Sequence, residues 1–457
     1  MMAHGPGGGD PGYDRGPVSL TRLDLRGVAP ASLAARLPRP PASELFPTAA
    51  VADIVDQVRS GGDAALRALT AKFDRVDIAV LRVEPGVVAG AVTRVDRRLR
   101  AALEAAHRRV MAYHRHEAEP VGDFALEGIG VRHLTRPVRR AGLYAPGGRA
   151  RYPSTVLMCA VPARVAGVEE LALCVPPSPD GEVAVETLAA AAIAGVEEVY
   201  RVGGAQAIAA MALGTESIEP VDVIAGPGNR YVAEAKRQLA GVVGVPSAFA
   251  GPSEVVVIAD ESVPARWAAI DVVVQAEHGP DGQAWLVTWS QAVADAVTSA
   301  VDELIAASPR RRDLEATVAT GGYAVVVDGP EQAMAVANAV APEHLEILVD
   351  RAEALLPLVR SAGAVFLGPY APASIGDYLA GPNHVLPTAR TARFASALRP
   401  DDFRTHIHVV TTDRAGLLGV AEHVETLAEA EGLPAHADSI RIRTAGDPGS
   451  CATMVGL

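Results

Sequence analysis

Residues 250–280, AGPSEVVVIADESVPARWAAIDVVVQAEHGP, contain a strand followed by a helix. The apolar, β-branched run 254–259 predicts a buried strand, and the helical pattern that opens near Pro264 is predicted to end at His278. Gln275 and His278 are three residues apart, so they share one face of that helix. A carboxamide oxygen and an imidazole on one face form half of a site for a hard or borderline metal ion.

Similar apolar runs recur on both sides of this unit, and helical segments separate them. Up to and including it, they are 171–175, 198–202, 221–226 and 254–260. After it, they are 284–289, 323–328, 345–349 and 364–368. Alternating strands and helices are typical of parallel, doubly wound sheets. The pattern therefore predicts an α/β fold with two Rossmann-like domains, one inserted in the other.

The length of 457 residues exceeds what one hydrophobic core accommodates, so several domains are expected. Residues 1–20, rich in Gly and Pro, are predicted to be a disordered tail. The first Rossmann-like domain is predicted to be discontinuous, with segments 21–140 and 251–393, and to carry the metal and catalytic residues. The second is predicted to occupy 141–250. Residues 394–457 are predicted to form a small α+β tail.

The segment before the first sheet is predicted to be mainly helical. Residues 51–74 predict two helices broken at Gly61-Gly62, because glycine disfavours the helix interior. Residues 92–116 predict one long helix, whose cluster His114-Arg115-His116 is interpreted as a solvated face. A short β-like segment, 124–135, follows.

The composition excludes several classes of partner. The formal charge of −13 disfavours nucleic acid and anionic membranes, and no basic patch with interleaved aromatic residues occurs. No uncharged apolar run is long enough to span a bilayer. The three cysteines, Cys159, Cys174 and Cys451, lack CxxC spacing, which argues against a disulfide framework or a cysteine zinc site. Cys174 is predicted to be a buried strand residue, and the protein is expected to be cytoplasmic.

Two glycine-rich turns follow predicted strands and precede predicted helices. VGGAQ places Gly203 and Gly204 before Gln206, and AGPGN places Gly226 and Gly228 before Asn229. Such turns can cradle a cofactor phosphate at the carboxyl ends of parallel strands. Neither turn is a complete GxGxxG motif, so ordinary tight turns remain an alternative.

Nine motifs occur in the order found in one enzyme family. They are GLYAPGG (142–148), VGGAQAIAA (202–210), AGPGN (225–229), AGPSEVVVIADES (250–262), QAEH (275–278), APEHLE (341–346), IGDY (375–378), GPNHVLPT (381–388) and AEAEGLPAH (428–436). Through them nearly the whole chain after about residue 20 resembles the histidinol dehydrogenases. These enzymes catalyse the last two steps of histidine synthesis, the four-electron oxidation of L-histidinol through L-histidinaldehyde to L-histidine.

The resemblance implies two cofactors, NAD and one Zn²⁺ per subunit. The implied NAD contacts, all in the predicted domain 141–250, are Tyr144, Gln206 and Asn229. The implied zinc ligands are Gln275, His278, Asp377 and His436. Taken singly, each of these four could instead have a structural role: Gln275 and His278 as helix-end caps, Asp377 as an Asx-turn residue and His436 as a solvated loop histidine.

The resemblance also implies the catalytic and substrate-binding residues. His344 is the candidate base for the alcohol proton, because its pKa lies near working pH, and Glu343 is the candidate for activating water at the aldehyde. Without the family, a surface Glu-His pair would be the simpler interpretation. The implied substrate contacts are Ser253, Gln275, His278, His344, Asp377, His384, Glu431 and His436.

The tail residues Glu431 and His436 are implied to complete the site of the neighbouring subunit in a homodimer. The carboxylate of Glu431 offers a negative charge for the substrate ammonium. Three other functions remain open. They are a related zinc- and NAD-dependent dehydrogenase for another small primary alcohol, a metallohydrolase that uses Glu343, and an inactive scaffold.

Several positions depart from the family pattern without removing an implied ligand or catalytic residue. They are Cys159, Gly279, Arg149, Arg151, Asp438, His406 and His408. On a strand, His406 and His408 would face one side and could bind a second metal, although an interface or solvent-facing pair is the simpler interpretation.

Overall fold

The computed structural model describes residues 19–38, 47–118, 122–147, 151–246, 253–277 and 282–445. The described residues form two compact units, one within the ranges 1–117 and 139–403 and the other within 118–138 and 404–457. All of the predicted disordered tail except its last two residues lies outside the described part.

The strands are numbered along the chain. They are β1 (Thr21–Asp24), β2 (Phe124–Leu126), β3 (Ile129–Pro137), β4 (Arg140–Tyr144), β5 (Glu170–Val175), β6 (Glu198–Arg201), β7 (Val223–Ala225), β8 (Glu254–Ala259), β9 (Gln283–Thr288), β10 (Gly322–Val326), β11 (His344–Leu348), β12 (Ala364–Leu367) and β13 (Arg404–Thr412). All eight apolar runs singled out in the sequence form strands, because β-branched side chains suit a pleated surface that helices cover.

The helices are numbered in the same way. They are α1 (Pro30–Arg36), α2 (Thr48–Phe73), α3 (Pro85–Arg94), α4 (Arg97–Glu117), α5 (Pro153–Ala166), α6 (Val185–Ile193), α7 (Gly204–Leu213), α8 (Arg230–Leu239), α9 (Ala265–Ala276), α10 (Gln291–Ala307), α11 (Arg311–Gly321), α12 (Pro330–Val340), α13 (Ala373–Tyr378), α14 (Arg414–Ala430) and α15 (Pro434–Ala445). Short 3₁₀ helices occupy Ala352–Leu358, Thr391–Arg393 and Pro400–Phe403.

The larger sheet of the first unit has six parallel strands in the order β1-β10-β9-β8-β11-β12. Side chains of alternate residues leave opposite faces of each strand. Val255 and Val257 pack with α9 and α10 on one face, whereas Val256 and Ile258 pack with α1 and α12 on the other. Burial on both faces explains why these strands are almost continuously apolar.

The smaller sheet of the same unit has four parallel strands in the order β6-β5-β4-β7. Helices α2, α7 and α8 cover one of its faces, and their apolar side chains form a core with Cys174 and Tyr200. Cys174 is fully buried in β5, as predicted. Two parallel sheets layered with helices confirm the predicted α/β fold class.

Two predictions for the N-terminal helices meet different outcomes. Gly62 interrupts α2 with φ 49° and ψ −133°, which confirms the predicted break. The predicted single helix 92–116 is wrong, because α3 ends at Arg94 and α4 begins at Arg97. The Asp96 carboxylate accepts hydrogen bonds from the backbone N–H groups of Arg98 and Leu99 at 2.8 and 3.0 Å. A side-chain cap of this kind favours a new helix start over continuation.

The predicted solvated face at the end of α4 is also wrong for one residue. Arg115 and His116 are exposed, but His114 is fully buried. Its Nδ1 lies 2.8 Å from the Glu117 carboxylate, and its Nε2 lies 3.3 Å from the Asn383 amide. Burial lowers the pKa of His114, although Glu117 acts in the opposite direction.

The second unit contains an antiparallel sheet in the order β13-β3-β2, followed by α14 and α15. The predicted β-like segment forms a hairpin, turning at Glu127 and Gly128 with φ 49° and 79°. Residues 118–138 belong to this unit with the tail, whereas the sequence placed them in the first predicted domain. The remaining domain boundaries stay predictions. Among the described helices, none combines the length and the apolar character needed to cross a membrane.

Candidate active site

A large cleft of about 2400 Å³ runs through the first unit. One wall is formed by the carboxyl ends of strands in the smaller sheet, where Tyr144 ends β4. The opposite wall is formed by the amino ends of strands in the larger sheet, where Ser253 precedes β8 and His344 begins β11. The cleft thus joins the predicted cofactor residues to the predicted catalytic residues. Of the predicted site residues, those that line it are Tyr144, Gln206, Asn229, Ser253, Gln275, Glu343, His344, Asp377 and His384.

The wall at the smaller sheet is shaped by two glycine turns. Gly203 and Gly204 connect β6 to α7, and the backbone N–H of Gly204 donates to the Tyr144 hydroxyl at 3.0 Å. Gln206 follows in the first turn of α7 and is buried. Asn229 caps α8, and its side-chain oxygen accepts from the backbone N–H groups of Tyr231 and Val232 at 3.0 and 3.2 Å. Both turns place the start of a helix at the cleft, as a phosphate-binding site requires.

The second turn depends on a close approach between two backbone segments. Gly226 has φ +115°, and a Cβ there would lie 2.1 Å from the Tyr144 carbonyl oxygen. The buried Lys236 amine donates to the Gly226 carbonyl from α8. Burial lowers the pKa of Lys236 to about 8, because a charged amine loses its hydration inside the protein. This turn therefore tolerates glycine alone at position 226.

The opposite wall places an acid and an imidazole at the start of β11. Glu343 and His344 are both buried, at 8% and 3% exposure. The His344 Nδ1 lies 3.6 Å from a Glu343 oxygen, and its Nε2 lies 3.4 Å from an Asp377 oxygen. The imidazole ring also stacks on Phe366, with 5.9 Å between centroids. These long contacts leave both ring nitrogens without a well-formed hydrogen bond to a described residue.

Glu343 is held by the residues that lead into β8. The backbone N–H of Glu254 donates to its carboxylate at 3.2 Å, and the Ser253 side chain also hydrogen-bonds to it. Burial raises the pKa of Glu343 to about 7; the charge of His344 opposes this rise and that of Asp377 adds to it. A carboxyl group near neutrality can both accept and release protons.

For His344, unlike Glu343, the neighbouring charges have a larger effect on the pKa than burial does. Burial disfavours its imidazolium, but the neighbouring carboxylates of Glu343 and Asp377 outweigh burial and raise its pKa to about 9. A cation facing two carboxylates is stabilised by their charge in a medium that screens poorly. The neutral imidazole of His344 is therefore a stronger base than free imidazole.

Asp377 and His384 form a second polar group in the cleft. Asp377 lies in α13, and its backbone carbonyl is 2.8 Å from Nδ1 of His384. A carbonyl oxygen accepts only, so Nδ1 carries the proton and the neutral ring presents the Nε2 lone pair. Nε2 lies 3.3 Å from the Thr155 hydroxyl, which can donate to it. The histidine tautomer is thereby set by the backbone.

The four predicted zinc ligands fall in different places. Gln275 and Asp377 line the cleft, His278 lies outside the described residues, and His436 lies on α15 in the second unit. Gln275 is 1% exposed, and its Nε2 has no hydrogen-bond partner among the described residues. Within the same part of the chain, no three His, Cys, Asp or Glu side chains are close enough to hold a metal ion. An amide oxygen and a carboxylate that line the same cleft are the kinds of donor that can hold part of a zinc site.

The remaining predicted residues lie in the second unit and are exposed. Glu431 ends α14 and His436 lies in the first turn of α15. His406 and His408 lie on β13, where the His408 ring contacts the His133 ring with 5.2 Å between centroids. No described cluster of metal-binding side chains includes this pair.

Three buried acids close to the site residues, but outside the cleft wall, were missed in the sequence. Glu254 begins β8 at 4% exposure, Glu346 lies in β11 at 0%, and Asp271 lies in α9 at 8%. Burial raises the pKa of Glu254 to about 8, and the charge of Glu343 adds to the rise. The available signal was an acidic residue inside an otherwise apolar strand or helix, where an unpaired charge is costly.

Three comparisons with known proteins agree. The model of the histidinol dehydrogenase family matches residues 39–444. The chain is 48% identical to the histidinol dehydrogenase of Parasynechococcus marenigrum over 393 residues, covering 85% of this chain and 89% of that one. It is also 48% identical to that of Gluconobacter oxydans, covering 85% and 91%. The crystal structure of histidinol dehydrogenase from Elizabethkingia anophelis aligns with a TM-score of 0.87 at 31% identity, covering 93% and 98%.

We predict that Gly226→Ala destabilises the protein far more than Gly241→Ala. Both glycines have left-handed φ angles, +115° and +96°, but a Cβ at Gly241 would meet nothing within 4 Å. Gly241→Ala should therefore cost about 1 kcal/mol for backbone strain. Gly226→Ala should cost at least about 2 kcal/mol more, because the turn must move away from Tyr144. Urea unfolding of both variants measures the difference, and equal losses would contradict the close approach.

Proposed function

Because the chain belongs to the histidinol dehydrogenase family, we propose that it oxidises L-histidinol through L-histidinaldehyde to L-histidine. The proposal includes NAD as electron acceptor and one zinc ion per subunit. The observation that carries it is that one cleft brings Tyr144, Gln206 and Asn229 together with Glu343 and His344. A cofactor and a substrate that exchange a hydride must meet in one enclosed space.

The overall reaction needs two proton acceptors used in succession. The alcohol loses one hydride and one proton to become the aldehyde. Water then adds to the aldehyde, and loss of a second hydride gives the acid. In total, one histidinol, one water and two NAD give one histidine carboxylate, two NADH and three protons.

We assign the alcohol proton to His344. Its position between Glu343 and Asp377 makes the neutral imidazole a strong base. The neutral form becomes more populated as the pH rises toward about 9, so alcohol oxidation should accelerate over that range. Phe366 limits the rotation of the ring by stacking against it.

We assign the activation of water to Glu343. Hydrogen bonds from Glu254 and Ser253 hold its carboxylate in place. Since its pKa is raised to about 7, the carboxylate is a better base than an ordinary glutamate at neutral pH. Lysine or arginine contacts would have lowered this pKa instead.

The cofactors would bind at opposite walls of the cleft. NAD, held by Tyr144, Gln206 and Asn229, supplies the hydride acceptor when bound. Gln275, His278, Asp377 and His436 would hold the zinc ion, which would supply a Lewis acid for positioning the substrate. Gln275 fits this role because its side chain lies in the cleft wall and carries an amide oxygen that can coordinate a metal ion. Ser253 and His384 would contact the substrate from the same wall.

We further propose a homodimer in which Glu431 and His436 come from the tail of a second copy. The carboxylate of Glu431 would bind the substrate ammonium. Support comes from the second unit itself, where large apolar side chains are exposed rather than packed in a core. They include Phe124, Leu126, Val410, Leu427 and Ile442. Patches of this kind mark interaction surfaces. A cytoplasmic location stays a prediction.

The first test is the amount of NADH formed per histidinol consumed by the zinc-loaded protein. We expect two NADH and one histidine, and loss of activity on chelation that returns with zinc. Absence of NADH despite bound zinc and NAD would favour the alternative, oxidation of another small primary alcohol. Hydrolysis without NADH would favour a metallohydrolase.

Substitutions of Glu343 and of His344 should affect different steps, so two variants test the two catalytic assignments independently. Glu343→Gln should lower the yield from two NADH toward one and release aldehyde, because water is no longer activated. His344→Asn should slow the first oxidation by about 10²- to 10⁴-fold. In the wild type, aldehyde oxidation should fall as the pH drops through about 7, where Glu343 gains its proton. Glu331→Gln, an exposed carboxyl on α12, is the matched control. Equal slowing of both steps in Glu343→Gln would contradict its assignment.

The dimer proposal predicts complementation between inactive subunits. His344→Ala and His436→Ala proteins should each be inactive. Mixed and allowed to exchange subunits, they should recover about a quarter of wild-type activity, because half of the dimers are mixed and each has one intact site. No recovery, despite mixed dimers confirmed by mass spectrometry, would place His436 in the site of its own chain.

A further inference from the structure

Two buried carboxyl groups meet directly behind His344. Glu346 lies on β11 with no exposed surface, and Asp271 lies on α9 with 8% exposure. Neither lies among the residues of the cleft wall. Burying two acids side by side is unfavourable unless they are neutralised or hydrogen-bonded.

The contact between the two groups requires a proton. One oxygen of Glu346, Oε1, accepts from the backbone N–H of Ala373 at 3.2 Å. The other, Oε2, is buried and receives no hydrogen from any described donor. The Asp271 carboxyl lies within hydrogen-bonding reach of Glu346. Ionised carboxylates only accept hydrogen bonds, so one of the pair has to be protonated for the contact to hold.

The distance from Asp271 to Gln275 along α9 is close to the distance from Glu346 to His344 along β11. Asp271 and Gln275 are one turn apart on α9, a rise of about 6 Å. Glu346 and His344 are two residues apart on β11, a rise of about 6.6 Å, and their side chains leave the same face. A contact between Asp271 and Glu346 therefore brings Gln275 level with His344. Ala373 begins α13, the helix that carries Asp377.

We propose that Asp271 and Glu346 share one proton and that this carboxyl pair positions Gln275 and Asp377 around His344. Both are positioning residues, because they act through α9 and α13 rather than on a substrate. The catalytic meaning of the pair rests on the proposed function, whereas the shared proton does not.

The charged groups around Glu346 favour this assignment. Burial raises its pKa, and the charge and hydrogen bond of Asp271 raise it further. The Ala373 N–H and the charge of His344 act in the opposite direction. Burial also raises the pKa of Asp271. The other acids on the surrounding elements are Glu343 on the approach to β11, Glu254 on β8 and Asp377 on α13.

The decisive variant is Asp271→Asn. The asparagine amide can donate to an ionised Glu346, which keeps the contact without the shared proton. Asp271→Ala removes the contact altogether. Asp302→Asn is the matched control, because burial also raises the pKa of this α10 carboxyl but it bonds to Ser19, away from the site.

The first readout is the melting temperature of metal-free protein from about pH 5 to about pH 9, which does not depend on activity. A carboxyl whose folded pKa is raised gives stability that is full below its unfolded value and is lost as the pH rises toward the folded value. We expect this fall to be clearly smaller in Asp271→Asn than in the wild type and the control. An unchanged fall in Asp271→Asn would overturn the shared proton.

The second readout is zinc affinity, followed by kcat/KM for histidinol. Asp271→Ala should weaken both by about tenfold or more, whereas Asp271→Asn should stay within about threefold of the wild type near neutral pH. If Asp271→Ala has the same zinc affinity and the same kcat/KM as the control Asp302→Asn, the positioning role is wrong. An inactive wild type would contradict the proposed function alone, since the melting and zinc measurements would still decide on the pair.

Discussion

The site depends on one constraint, the burial of ionisable side chains at the start of β11. This strand is covered by helices on both faces, so little of Glu343, His344 and Glu346 is exposed to water. They are stabilised by one another and by a few backbone N–H groups. Burial raises the pKa of Glu343 to about 7, and the carboxylates beside His344 raise the pKa of that imidazole to about 9, against the effect of burial. Shifted pKa values of this kind are typical of groups that exchange protons.

Much of the fold follows from local patterns, because the apolar β-branched runs are long and glycine marks the breaks. The wrong predictions occur where one polar side chain determines the local structure. Asp96 starts a helix by capping it, although the apolar spacing continues across it. His114 looks solvated beside its arginine neighbours, yet it is buried against Asn383, which lies 269 residues further along the chain. Local sequence holds no signal for such distant partners.

The site itself was predictable only through the family motifs. In isolation, Glu343 and His344 are a charged pair after a proline, and their burial emerges only once β8 and β12 flank β11. The contact of Asp271 with Glu346 is harder still, since it joins a helix and a strand through a proton that no residue type specifies. Gln275 is identified in the same way, because a glutamine carries no signal until the fold brings it to the cleft that His344 and Asp377 also line.

The opposed edges of the two sheets give the cleft an electrical polarity. Helices α7 and α8 begin at one wall, whereas α9 ends at the other, near Gln275 and Glu277. Aligned peptide dipoles leave partial positive charge at the first wall and partial negative charge at the second. Anionic groups are therefore drawn to one side and cationic groups to the other. The helix dipoles would attract a phosphate-bearing molecule to the first wall and an ammonium group or a metal ion to the second, before any side chain contacts them.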